Sequence, residues 1–164
     1  MCLERLRLAQ LWWALRVVIW LCGLPLRLYR YNLPELLERL TPRHTPAQRP
    51  RPLERDMAVR LVAQLCRLRC FRGRGFPRLC MRQSLTLYYV LARLGEPVAI
   101  HIGVSKKGDV LYGHNWVTVD GQPVAESAPP EEVFRPIYTF ACTATGAARN
   151  RRCRGEAGSE RRNA

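Results

Sequence analysis

The sequence predicts an α+β fold in which one apolar helix packs on a small antiparallel sheet, with further helices before it. Three observations carry this. Residues 80–94 read as an apolar helix, closed by Gly95 as a C-terminal cap and by Pro97 beyond it. Residues 98–104 alternate, with Val98, Ile100, Ile102 and Val104 on one face, the period of a half-buried strand. Residues 110–119 and 122–126 then flank Asp120-Gly121, the dipeptide of a tight hairpin turn, so they form a second and a third strand.

Upstream, residues 3–22 have helical character, and Gly23 and Pro25 predict a break. Residues 33–40 suit a short helix with Pro34 near its start. Four prolines among Thr, Arg and Gln make residues 41–52 a linker or surface loop. Helical spacing resumes over 53–69, where Met57, Leu61, Leu65 and Leu68 fall near one face, and 70–77 is a loop with two glycines. Rich in Arg, Ala and Gly and poor in apolar residues, the segment from 143 is predicted to be disordered. With 164 residues this is one domain with appendages: a basic helical arm over 1–56, a core over 57–142 and a basic tail over 143–164.

The net charge of +14 is unevenly placed. Residues 1–76 carry 15 Arg against 5 acids, residues 77–142 carry 6 of each sign, and residues 143–164 carry 6 Arg against 2 acids. With a neutral core between basic ends, the arm is either a solvated face or a docking surface for an acidic peptide, an acidic protein, anionic lipid or nucleic acid. Nucleic acid is disfavoured, because the core is neutral and Trp12, Trp13 and Trp20 lie in an apolar run rather than interleaved with arginines. That run, residues 11–26, is interrupted by Arg16 and falls short of the ~20 residues of a spanning helix. It reads instead as a helix docked on the protein or lying at a membrane surface. Seven cysteines, odd in number and irregularly spaced, point to a reducing cytoplasm with free thiols. No second close pair accompanies Cys66 and Cys70, so structural zinc is disfavoured, and no nucleotide fingerprint occurs. Neither a metal nor an organic cofactor is expected.

The chemistry concentrates in three residues. Cys80 opens the apolar helix, where unpaired backbone N–H groups and the helix dipole favour a thiolate. His114 follows 34 positions later on the second strand and would activate the thiol. An acid would hold the imidazole in one tautomer. Glu126, on the returning strand, is favoured for this role over Asp120, whose Asp-Gly setting is explained by the turn. An ideal hairpin would put Glu126 on the face of Asn115, so a bulge or twist must redirect it. Trp116, on the same strand face as His114, is a candidate cleft wall or core residue. Ser84, one turn after Cys80, is a candidate cleft contact or small packing residue, and His101 a satisfied sheet residue.

Residues 80–98, Ile102-Gly103-Val104-Ser105-Lys106 and Gly113-His114-Asn115-Trp116 through Val124 resemble the leader peptidases of lasso-peptide biosynthesis, the group of the microcin-maturation protease. The likeness covers about residues 57–137, and the Trp- and Leu-rich basic helix over 3–30 resembles the same group more loosely. It implies a transglutaminase-like core with Cys80 as nucleophile, His114 as base and the acid at Glu126, where Asp is usual. The implied reaction is hydrolysis of the bond joining leader to core in a ribosomally made precursor peptide. The implied partners are a separate leader-recognition protein, since no recognition domain is expected in this chain, and an ATP-dependent asparagine-synthetase-like cyclase that closes a macrolactam on the freed amine. Two alternatives stand beside it: another transglutaminase-like acyl transferase, and a non-catalytic basic module for nucleic acid or membrane.

Overall fold

The computed structural model describes residues 2–42, 52–71, 77–142 and 148–152. Four helices, α1 (Cys2–Arg30), α2 (Leu33–Leu40), α3 (Pro52–Cys66) and α4 (Leu79–Leu94), precede five strands. These are β1 (Val98–Lys107), β2 (Val110–Val119), β3 (Gln122–Val124), β4 (Arg135–Cys142) and β5 (Ala148–Arg152). Two 3-10 turns, Arg69–Phe71 and Pro130–Glu132, lie between them. Most of the proline-rich stretch, residues 43–51, lies outside the described residues.

α1 does not break at Gly23 and Pro25 but runs on to Arg30. A proline inside a helix costs about 3 kcal/mol through a lost hydrogen bond and a ring clash. Val17, Trp20, Leu21 and Leu24 offset that cost, because all four are buried across the would-be break, and each large apolar side chain buried gains about 1.5–3 kcal/mol. Trp20 also stacks on Tyr89 of α4, centroids 4.5 Å apart, and donates its indole N–H to Thr86 at 3.2 Å. The apolar part of α1 is longer than the sequence reading allows: Leu11–Arg30 has the length and composition of a membrane-crossing helix. Its inner face nevertheless belongs to the protein core, an arrangement compatible with a soluble protein.

α2 starts where Asn32 accepts the Glu35 N–H at 3.0 Å, and it buries Leu36, Leu37 and Leu40. Thr41 at its end shares a 2.7 Å hydrogen bond with the Tyr88 hydroxyl of α4. α4 is buried on nearly every side, between α1 and α3 and the sheet, and ends on Gly95 at φ 88, the left-handed cap its sequence predicts. One apolar cluster unites Val17 and Leu21 of α1, Leu37 of α2, Val62 of α3, Leu85 and Leu91 of α4, and Ile100, Val117 and Phe140 of the sheet. The first two helices are thus built into the core that holds α4.

The sheet order is β3-β2-β1-β4-β5, with every pair antiparallel. β1 extends to Lys107, three residues beyond the predicted strand, which leaves Gly108-Asp109 as the turn into β2. Pro123, which lacks an N–H for the ladder, is tolerated because β3 is an edge strand. β4 has no counterpart among the strands read from sequence. Its ladder with β1 slips between Ile102 and Gly103, and Pro136 near the slip obscures its alternation. Residues 148–152, within the segment predicted to be disordered, pair with β4 as β5. Strand pairing is made by backbone groups, so the arginines there do not preclude it.

Candidate active site

The site begins with what fixes the start of α4. Arg82 is almost wholly buried and makes no ion pair among the described residues. Its guanidinium donates to three backbone carbonyls instead: Cys66 at 2.7 and 3.2 Å, Phe71 at 2.5 Å and Pro77 at 3.1 Å. These lie at the end of α3, in the first 3-10 turn and just before α4. One side chain, two residues after Cys80, thereby ties three passing segments to the helix that carries the thiol.

Cys80 is the second residue of α4 and is half-exposed. Arg78 at the cap position supplies no side-chain hydrogen bond, and the first helical bond runs from the Arg82 N–H to the Arg78 carbonyl at 3.0 Å. The N–H groups of Leu79, Cys80 and Met81 are therefore left unused by the helix, as at any helix start. Here they sit beside a thiol. Two thiols elsewhere in the fold, Cys66 and Cys142, are buried. Burial pushes Cys66 up despite hydrogen bonds from Thr86 and Arg82, and burial also pushes Cys142 up.

His114 lies on β2 with Nε2 3.3 Å from Glu126 Oε2, both side chains about three-quarters buried. The redirection of Glu126 that an ideal hairpin cannot provide comes from Ala125. The β2–β3 ladder holds its register through Val117 opposite Val124 and then stops. Ala125 adopts φ 62, the left-handed region, and turns the chain so that the next side chain meets the imidazole. Asp120 sits in the hairpin turn at φ 50. Six residues of extended strand put it about 20 Å from His114 along β2, so it is not brought to the histidine.

Two aromatic rings pack against the His114 imidazole. It stacks near-parallel to Trp116, centroids 6.1 Å apart, and meets Phe134 at 5.1 Å. Trp116 is buried; it stacks in turn on His101 at 5.3 Å, and its indole N–H donates to Glu131 at 2.8 Å. It is not sandwiched in the apolar cluster beneath α4, which takes Val117 and Val119 from this strand. His101 lies between the hydroxyls of Thr118 and Thr139 at 2.9 and 3.0 Å, and burial lowers its pKa. Gly103, paired with His114 across the ladder, leaves room for the indole. A Cβ there would lie 2.6 and 2.7 Å from the Trp116 ring and 3.1 Å from the Arg135 carbonyl.

Cys80, His114, Trp116 and Glu126 line one cleft of about 340 Å³, with Gln83 and Arg67 at its wall. Ser84 lines it too but is buried, its hydroxyl donating to the Met81 carbonyl at 3.2 Å. Thiol and imidazole face the same space without a hydrogen bond between them, while Glu126 engages Nε2. A carboxylate there accepts the Nε2–H, which makes Nδ1 the basic nitrogen. Among the described residues no group of three or more His, Cys, Asp or Glu is gathered in a way that could hold a metal ion.

A family model for the transglutaminase-like superfamily matches residues 11–139, from α1 to β4. The chain belongs to that superfamily. The matched stretch includes the N-terminal helices, in keeping with their place in the core, and the transglutaminase-like fold is typical of cysteine hydrolases and transferases. No curated protein and no solved structure gives a significant match.

Three site features of this transglutaminase-like domain were not legible as motifs: the left-handed Ala125, the Glu131 carboxylate under Trp116, and Phe134 against His114. Only Gly103 left a signal, as an isolated glycine inside an alternating strand, which marks close approach of a neighbour.

Proposed function

We propose that the protein is a cysteine peptidase that removes the leader from a ribosomally made lasso-peptide precursor. The observation that carries this reading is the convergence on one cleft of a helix-start thiol with a histidine already paired to a carboxylate. The peptide specificity draws on the resemblance of residues 80–98 and 113–124 to that group of leader peptidases.

Nδ1 of His114 takes the Cys80 proton, and the thiolate attacks the carbonyl carbon of the peptide bond joining leader to core. The oxyanion forms where the unused N–H groups at the start of α4 can donate to it. His114 returns the proton to the nitrogen of the core peptide as the C–N bond breaks, and a thioester of the leader remains on Cys80. Water, deprotonated by the same nitrogen, cleaves that thioester, giving the leader carboxylate and the free thiol. Glu126 holds the imidazole tautomer and offsets its charge throughout. No metal or organic cofactor takes part. The freed amine would then be joined to a side-chain carboxylate by an ATP-dependent asparagine-synthetase-like cyclase. A separate leader-recognition protein would present the precursor, all in the cytoplasm.

The test is mass spectrometry of a candidate precursor incubated with its recognition protein and this chain. Leader and free-amine core should appear with wild type and not with Cys80→Ala. Leader release by Cys80→Ala would sink the reading. Formation of an amide with an added amine in place of hydrolysis would move it to an acyl transferase.

A further inference from the structure

A second hollow lies between α1, α2 and the C-terminal half of α4, about 420 Å³ in volume and separate from the Cys80 cleft. Four guanidiniums border it, from Arg16, Arg27, Arg39 and Arg93, and no acid lines it. Of the four, only Arg39 has a carboxylate partner among the described residues, Glu35 at 3.1 Å. α1 itself has no Asp or Glu from Arg5 to Arg30, so Arg16 and Arg27 find no carboxylate on their own helix, whereas Glu35 and Glu38 stand in the adjoining hollow with Arg39 and Arg93.

Aromatic faces hold all four groups, and for Arg16, Arg27 and Arg93 they stand where a carboxylate would. Arg27 lies over Trp20 at 4.9 Å, Arg93 over Tyr89 at 4.0 Å, Arg39 over Tyr31 at 4.5 Å, and Arg16 over both Trp12 and Trp13. A guanidinium stacked on a ring keeps its N–H donors at its edge, free for a planar acceptor. Arg93 spends one of its nitrogens on the carbonyls of Leu40 and Tyr89. Burial and the charge of Arg16 both weaken its hold on its proton, against the opposing pull of Tyr89, and an anion would relieve that strain. Ile19, Leu36 and Leu40 add an apolar lining. A phosphate cradle would be expected to offer a helix N-terminus or a glycine-rich loop, and neither lines this hollow. Flat donors beside apolar walls fit a carboxylate carried on an apolar peptide.

We propose that this hollow is a docking site for an acidic, apolar peptide segment, a Glu or Asp flanked by a large aliphatic or aromatic side chain, remote from the cleft. The segment belongs to a partner protein, and its binding does not depend on the chemistry assigned to Cys80.

The probe is the capped peptide Leu-Glu-Leu-Glu, titrated calorimetrically into the full chain at low salt beside Leu-Gln-Leu-Gln. The acidic peptide should bind at least about tenfold more tightly than its amide twin, because charge-assisted bonds to Arg are lost in the latter. Arg16→Gln with Arg27→Gln should lose about the same factor. Its melting midpoint should stay close to wild type, since lost ring contacts and relieved like-charge crowding oppose each other, and Cys80→Ser should bind as wild type does. Equal binding of the two peptides to wild type would overturn the proposal even if the double variant failed to fold. Undiminished affinity in the double variant would overturn it too, as would binding of tripolyphosphate without binding of the acidic peptide.

Discussion

Replacing Gly103 by alanine tests whether the stack behind His114 positions it. The added methyl would sit 2.6 and 2.7 Å from two carbons of the Trp116 ring, with the Arg135 carbonyl closing the other side at 3.1 Å. Carbon atoms rest at about 3.5–4.0 Å, so the indole must retreat by about 1 Å. It cannot do so alone, because Glu131 holds its N–H and His101 lies against it. Overpacking of this kind costs about 1–3 kcal/mol of stability. The larger effect is on chemistry: Trp116 stacks on His114, and a reacting group displaced by about 1 Å can lose about 10²-fold in rate. The assay is the rate of iodoacetamide alkylation at Cys80, mapped by peptide, alongside urea denaturation of the same sample. A folded Gly103→Ala protein whose Cys80 reacts as fast as wild type would refute the reasoning, whatever its stability.

Four further outcomes are expected. Arg82→Met should destabilise by at least about 3 kcal/mol, since three buried carbonyls lose their donor, measured by urea unfolding. Ala125→Val should cost about 1–3 kcal/mol, because a β-branched residue is strained at φ 62, and should slow Cys80 alkylation as Glu126 shifts. Among the described cysteines, Cys80 should be alkylated at neutral pH while Cys66 and Cys142, buried and with raised pKa, react only on unfolding. For pH, His101 has a folded pKa below its ordinary 6.5, so the unfolded chain binds its proton first. Its contribution to stability is whole above about pH 6.5 and falls as pH drops towards the folded value. The melting midpoint of His101→Gln should fall less than that of wild type over that range.

How much of this was legible in the sequence depended on whether the signal was local. The helix over 80–94 and its Gly95 cap, the strand over 110–119 and the Asp120-Gly121 turn are each specified by residues adjacent in the chain, and they stand where periodicity puts them. α1 defied its local signals because Pro25 and Gly23 are outweighed by burial against α4, some sixty residues away. β4 was hidden because Pro136 and the slip at Ile102/Gly103 spoil its alternation, and the strand it joins in the core, β1, lies some thirty residues upstream. In the site, order and spacing pointed to Cys80, His114 and an acid, with Glu126 favoured over Asp120. The means that join the last two, a left-handed alanine, is a backbone property that no residue type at position 125 announces.

That alanine also separates two things usually tied together. Had Glu126 been delivered by the β2–β3 ladder, its distance from the imidazole would be quantised by strand register, and a change of one methylene in the acid could be absorbed only by moving the sheet. Delivered by a turn just beyond the last rung at Val117 and Val124, the acid can be lengthened or shortened by adjusting two dihedral angles. A glutamate in place of a shorter acid is then a local exchange of side-chain reach for backbone bend, made without disturbing a single strand.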